Sequence, residues 1–290
     1  MVSPLINKLC IIGVGLIGGS LARSLKKSNT VAEVVGVGRD VTHLEKAKSL
    51  GVIDTFETDI SLAVKGCDMV VIAVPLGAMQ SVFEKIAPVI TSDMIITDVG
   101  SAKASVVRAA QEAFENIPKT LVPGHPIAGT EKSGVEASFA ELYNNRRIII
   151  TPLETSSNDA VSKVRKMWQA CGAEVVETTI EHHDNVLAAT SHLPHILAFS
   201  LVDTLAKMDA KNDIFDFAAG GFRDFTRIAS SDPDMWRDIC LANGDALIEM
   251  IKTFSDDLQL LSKAIENNDS TYLKDTFARA KKARDEFCED

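Results

Sequence analysis

The sequence predicts an α/β domain followed by an all-helical one. Three observations carry that prediction. Short apolar runs alternate with helical patterns from the N-terminus to about residue 177. A glycine-rich turn follows the first apolar run. From Glu181 onward no segment reads as a strand. The division is placed after residue 178, giving domains over 1–178 and 179–290.

Each element has its own reason. Residues 9–12 form an apolar run ending at glycines, as a strand buried on both faces does. Residues 16–27 then read as a helix, 34–37 as a second strand and 41–50 as a second helix. Residues 68–74 (DMVVIAV) form another buried strand, closed by Pro75. Further strands are expected at 94–97, 121–122, 147–151 and 173–177, with helices at 78–89, 104–115 and 159–171. Such alternation implies right-handed crossovers and a mostly parallel sheet. In the second half, Asp232 reads as a helix N-cap with Pro233 in the first turn. Beyond it, Trp236, Ile239, Cys240, Leu247, Met250, Ile251, Phe254, Leu258, Leu261 and Ile265 recur at helical spacing. That stripe serves either core packing or a subunit interface. The last helix, 269–287, is highly charged and expected to be half exposed.

Composition narrows the functional classes. With 46% apolar and 24% charged residues the chain can build a core. A formal net charge of −10, with no basic run, disfavours nucleic acid and anionic membranes as partners. The five cysteines are widely spaced and form no C-x-x-C, which argues against a disulfide framework or a structural zinc. No signal-type segment and no stretch of about 18 apolar residues is apparent. A soluble cytoplasmic protein is therefore expected, without a transmembrane helix.

The turn Gly13-Val14-Gly15-Leu16-Ile17-Gly18 is a G-x-G-x-x-G between a strand and a helix, the context a dinucleotide requires. Gly13 permits the tight turn, Gly15 admits the pyrophosphate, and Gly18 lets helix and strand pack closely. The phosphates then sit at the helix N-terminus, with Leu16 and Ile17 in the same turn. About twenty residues on, Gly38 fills the usual acidic position and Arg39 follows it. That arrangement leaves room for the 2′-phosphate of NADP, while Asp40 lies within reach of the ribose of NAD. Arg39 is alternatively a solvated loop residue. Val74 and Pro75, at a strand end, are expected beside the nicotinamide. Ser101 either offers its hydroxyl to a ligand or caps the helix that begins near Lys103.

His125, held between Gly124 and Pro126, has a fixed backbone and a pKa near working pH, which suits a general base. His192 and His195 stand three apart on one helical face. A third metal ligand in a recognisable pattern is missing, so no metal is expected. Arg227, after Gly220-Gly221, either clamps a carboxylate or forms an ion pair within the helical domain.

The segments GVGLIGGS, HPIAGTEKSG, ATSHLPH and GGFRDFTRIASSDPDMWRDI, taken in this order, resemble the prephenate/arogenate dehydrogenase family of tyrosine biosynthesis. The resemblance runs over nearly the whole chain. It implies a Rossmann-like dinucleotide-binding domain and an all-α dimerisation domain, hence a homodimer. It also implies oxidative decarboxylation of prephenate or arogenate with NAD or NADP. By the same resemblance, His125 is the catalytic histidine and Ser101 orients the substrate hydroxyl and the nicotinamide. His192 lies at the cofactor, and His195, Arg227 and Trp236 at the substrate. The departure is Gly38, where many NAD-using members carry an acid. The alternatives are a β-hydroxyacid dehydrogenase, an imino-acid reductase, or a dinucleotide-sensing protein without turnover. The two enzymes lack the HPIAG and SHLPH segments together.

Overall fold

A computed structural model describes residues 3–130, 132–208 and 211–288. The chain forms two compact units, residues 1–244 and 245–290. The first contains a six-stranded sheet of β1 (Ile6–Ile12), β2 (Val31–Val37), β3 (Thr55–Glu57), β4 (Met69–Ile72), β5 (Ile95–Asp98) and β6 (Leu121–Val122). The spatial order is β3-β2-β1-β4-β5-β6, and every pairing is parallel. The order reverses between β1 and β4, which opens a ligand crevice at their carboxyl ends.

Helices α1 (Leu16–Lys27), α2 (Val41–Ser49), α3 (Ile60–Ala63), α4 (Met79–Ile86) and α5 (Lys103–Ala113) follow the strands. Each sheet face has its own core. Leu9 and Ile11 of β1 pack with Leu21, Leu25 and Leu44 on one side. Cys10 and Ile12 pack with Val35, Phe83 and Val106 on the other. That two-sided burial is why residues 9–12 of β1 are continuously apolar rather than alternating. The expected strands at 34–37 and 94–97 extend to Val31–Val37 and shift to Ile95–Asp98. Short β3 and α3 were not foreseen, because β3 is an edge strand whose Thr55 and Glu57 are exposed.

The parallel sheet does not take in every expected strand. Pro123 lacks an N–H and ends β6, so the ladder stops there. The chain continues into β7 (Gly124–Pro126), which pairs antiparallel with β8 (Arg147–Ile150). β8 in turn pairs parallel with β9 (Glu174–Glu177), forming a separate three-stranded sheet. His125 lies opposite Ile149 in this register. Helix α6 (Asn158–Ala170) carries Trp168, packed edge-on against Tyr143.

Beyond residue 179 the described residues hold no strand. Thr179 caps a helical run made of α7 (Ile180–Leu187), a π-helical turn (Ala188–His192) and α8 (Leu193–Ala206). By length and composition alone this run is apolar enough to cross a membrane, in contrast to the expectation of no such stretch. Helices α9 (Lys211–Asp216) and α10 (Gly220–Thr226) precede a 3₁₀ turn (Arg227–Ser230) and α11 (Pro233–Ala242). Asp232 is the N-cap of α11, accepting from Met235 N at 2.8 Å, as expected. The stripe from Trp236 to Ile265 is not one helix. It breaks at Asn243, whose side chain is used elsewhere in the site. The second unit is α12 (Gly244–Glu266) from residue 245 on, with α13 (Ser270–Cys288). Ile248, Leu258, Leu260 and Ile265 of α12 and Phe277 of α13 are exposed.

Candidate active site

The glycine turn is shaped by what surrounds it. Gly13 has φ +100°, and a Cβ there would lie 2.3 Å from the Ala73 carbonyl oxygen. A Cβ at Gly18 would lie 2.2 Å from the Gly13 carbonyl oxygen. Both positions exclude any side chain because backbone packs against backbone. Gly15 is the opposite case, since no protein atom lies within 4 Å of where its Cβ would be. Space is thus kept free at the N-terminus of α1, where Gly15 is the N-cap without a side chain. That free space beside backbone N–H groups fits a pyrophosphate. Leu16 and Ile17 are half-buried in the same turn.

At the end of β2, Gly38 is half-buried and Arg39 and Asp40 are exposed. Asp40 is engaged as the N-cap of α2, accepting from Thr42 N at 2.9 Å and His43 N at 3.3 Å. His43 Nε2 lies 2.8 Å from the Val14 carbonyl, joining α2 to the glycine turn. Across the crevice, Val74 is half-buried and Pro75 exposed. Gly77 N donates to Asp238 of α11 at 3.2 Å, which brings α11 against the segment after β4.

Next to the crevice, β5, α5, β7 and α7 converge on a buried polar web. Asp98 ends β5 and accepts from Gly100 N at 2.7 Å and from the buried Lys103 ammonium. Lys103 also donates to the Gly124 carbonyl at 2.6 Å, beside His125. A buried charge survives only with such partners. Helix α5 has Ala102 as N-cap, so Ser101 is not the cap. Asp184 of α7 does that work from outside, accepting from Lys103 N at 2.7 Å and Ala104 N at 2.8 Å. Asp184 also lies 2.7 Å from His183 Nδ1, and His183 Nε2 lies 2.9 Å from His125 Nδ1.

The electrostatics of this chain have one direction. Burial holds His125 well below the ordinary imidazole range, reinforced by the charges of His183, Lys103 and His192. His183 is also lowered by burial, with the Asp184 hydrogen bond opposing. For Asp184, burial pushes the carboxyl up. The hydrogen bonds from His183, Lys103 and Ala104 outweigh it and leave the group below the usual carboxylate range.

A second arm reaches the other predicted residues. Asn243 Nδ2 donates to the Asp184 carbonyl at 2.8 Å and lies 3.1 Å from His192 Nδ1. His192, in the π-turn, is buried and pushed down to about 4 by that burial. The Ser101 backbone lies close enough to oppose this shift. Trp236 stacks on His195, with ring centroids 3.7 Å apart, and meets His192 edge-on at 6.1 Å. His195 is lowered by burial and by the neighbouring positive charge of Arg227, which is itself exposed. The structure therefore brings together His125, Ser101, His192, His195, Trp236 and Arg227. Arg39 and Asp40 are not among them; they follow β2, where Asp40 caps α2. Among the described residues, no three His, Cys, Asp or Glu side chains are grouped to hold a metal. His183, Asp184 and Asn243 were missed in the sequence. The only signal was the pair His182-His183 before Asp184 at the start of the helical half.

Comparison with known proteins shows the family. The sequence profile for the nucleotide-binding domain of prephenate dehydrogenase matches residues 21–177. That for the prephenate dehydrogenase dimerization domain matches residues 179–279. The chain is 38% identical to a cyclohexadienyl dehydrogenase of Zymomonas mobilis over 95% of this chain and 94% of the relative. It superposes on a prephenate dehydrogenase from Aquifex aeolicus, solved with hydroxyphenyl propionate and NAD+, with a TM-score of 0.90 and 36% identity. That match covers 97% of this chain and 98% of the other. An arogenate dehydrogenase from Synechocystis gives a TM-score of 0.81 at 26% identity, covering 97% and 99%. With both halves matched in order by its profiles, the chain belongs to the prephenate dehydrogenase family.

Proposed function

We propose that this chain oxidises and decarboxylates prephenate, or its amino counterpart arogenate, with His125 as the base. The observation that carries the reading is a buried, neutral histidine beside a dinucleotide crevice, tethered through His183 to Asp184. The nicotinamide, when bound, supplies the hydride acceptor. His125 takes the proton of the substrate's ring hydroxyl as the carbinol carbon loses hydride. The resulting dienone sheds its ring carboxylate as CO2, and the electron pair left behind makes the ring aromatic. The phenolate oxygen then recovers the proton from His125. Protons and electrons balance without a metal. Arg227, next to His195 and Trp236, supplies a charge-assisted contact to a substrate carboxylate. Ser101 and His192 lie where hydroxyl and nicotinamide meet.

The dinucleotide is held by the turn from Gly13 to Gly18, with Val74 and Pro75 on the nicotinamide side. Position 38 presents no carboxylate, Asp40 is spent on capping, and Arg39 is exposed. This pocket tolerates a 2′-phosphate, so NADP+ is expected to serve alongside NAD+. The working division falls near residue 178, with a cytoplasmic homodimer formed through the helical half. The exposed apolar residues of α12 and the matched dimerization domain support that assembly.

The test combines prephenate or arogenate with NAD+ or NADP+ and follows the near-ultraviolet absorbance of reduced nicotinamide together with CO2 release. Coupled reduction and CO2 release in at least one combination is expected. Silence in all four would overturn the reading.

A further inference from the structure

Two histidines of the site contact one helical segment through different partners, and those partners dictate where each ring proton sits. Asp184, ionised, can only accept, so His183 donates from Nδ1 across the 2.7 Å contact. A neutral His183 then has a bare Nε2, which must accept from His125 Nδ1 at 2.9 Å. The proton of His125 is fixed on Nδ1, and its Nε2 is left as a lone pair. On the other arm, the Asp184 backbone carbonyl can only accept, which orients the Asn243 amide with its nitrogen inward. The same nitrogen meets His192 Nδ1 at 3.1 Å, so that ring atom is the acceptor. His192 must then carry its proton on Nε2. That Nε2 is buried and has no hydrogen-bond partner among the described residues.

We propose that His183, Asp184 and Asn243 are positioning residues that set opposite tautomers in His125 and His192. His125 presents an acceptor and His192 a donor, and substrate and nicotinamide bind between them. The proposal rests on the dehydrogenase reading for its purpose, but its geometry stands without it. Nothing in the sequence motifs names these three residues. Their arrangement spans both halves of the chain, since His125 is on β7, Asp184 on α7 and Asn243 at the end of α11. An imidazole in the wrong tautomer offers an N–H where the reaction needs a lone pair. The network also explains why Asn243 interrupts the helical stripe. A residue that must serve both Asp184 and His192 takes the C-cap position, where the chain leaves α11.

The test reads tautomers directly. Long-range ¹H–¹⁵N spectra of the ligand-free, ¹⁵N-labelled protein near neutral pH report which ring nitrogens are protonated. His125→Asn and His192→Asn variants assign the signals. The expected result is His125 protonated at Nδ1 and His192 at Nε2. The opposite tautomer in either ring, or averaging between the two, overturns the proposal. These spectra need no substrate, so they stand even if none of the four substrate combinations turns over. A kinetic arm separates positioning from packing. His183→Gln keeps an acceptor for His125, whereas His183→Leu does not. The Leu variant should lose kcat about a hundredfold with KM unchanged, within the usual span for a positioned base. The Gln variant should recover at least about tenfold of that loss, as expected when only the acceptor is restored. Equal losses in both, or near-normal kcat in the Leu variant, contradict a positioning role.

Discussion

A histidine that takes a proton from an alcohol has to be neutral when the substrate arrives. Burial, with His183, Lys103 and His192 adding to it, holds His125 in that state. The pH dependence follows with a definite sign. The free imidazole value is about 6.5, and the folded value lies below it. kcat/KM should therefore stay flat as pH falls through about 6.5 and drop only on further acidification. An acid limb at or above that value would show that His125 is not the titrating base, or is not desolvated. Arg227→Ala removes a charge-assisted contact worth about 1.5–3 kcal/mol and should raise the substrate KM by one to two orders of magnitude. An unchanged KM would return Arg227 to an ion pair within the helical segment. At position 38 a side chain would press on Leu44 at 3.3 Å, a flexible neighbour that can yield. Gly38→Asp should thus fold. It should cut kcat/KM for NADP+ by tenfold or more while sparing NAD+, because the new carboxylate repels the 2′-phosphate and accepts from the ribose.

At the scale of elements, the glycine turn separates ligand demands from packing demands. Gly15→Ala fills the space kept for the phosphates without touching protein, so it should raise the dinucleotide KM and leave the melting temperature unchanged. Gly18→Ala drives a Cβ onto the Gly13 carbonyl and should lower the melting temperature itself. Paired melts and kinetics distinguish them. This turn was legible in the sequence because its chemistry is local. β1, α1 and the Asp232-Pro233 helix start were legible for the same reason, each being set by neighbours within a few residues. The separate β7-β8-β9 sheet was not, because strand partners are chosen by tertiary geometry and Pro123 merely ends one ladder. Nor was the cap on α5, where Asp184 acts from about eighty positions away. Local spacing suggested Ser101 as that cap. The His183 and Asn243 roles depend on the same long-range meeting of elements.

For the whole molecule, a net charge of −10 coexists with an anionic substrate and cofactor. The positive potential is accordingly local, at the α1 N-terminus and at Arg227. Stability should depend on pH through the same histidines, but over a window that begins at the unfolded value. His125, His183, His192 and His195 all have folded values below the unfolded one near 6.5. Their contribution is complete above about 6.5 and is lost as pH falls toward the folded values, about 4 for His192. Thermal melts should therefore fall progressively across that window, and a flat profile would contradict the burial of neutral imidazoles. The most direct measurement compares the wild-type chain with His125→Asn, following reduced nicotinamide with prephenate and NAD+. The wild type should produce reduced nicotinamide and CO2 in equal amounts. The variant should keep its substrate KM and lose about 10²–10⁴-fold in kcat, the usual contribution of a positioned base. Near-normal kcat in His125→Asn would remove the histidine from the chemistry and contradict the account.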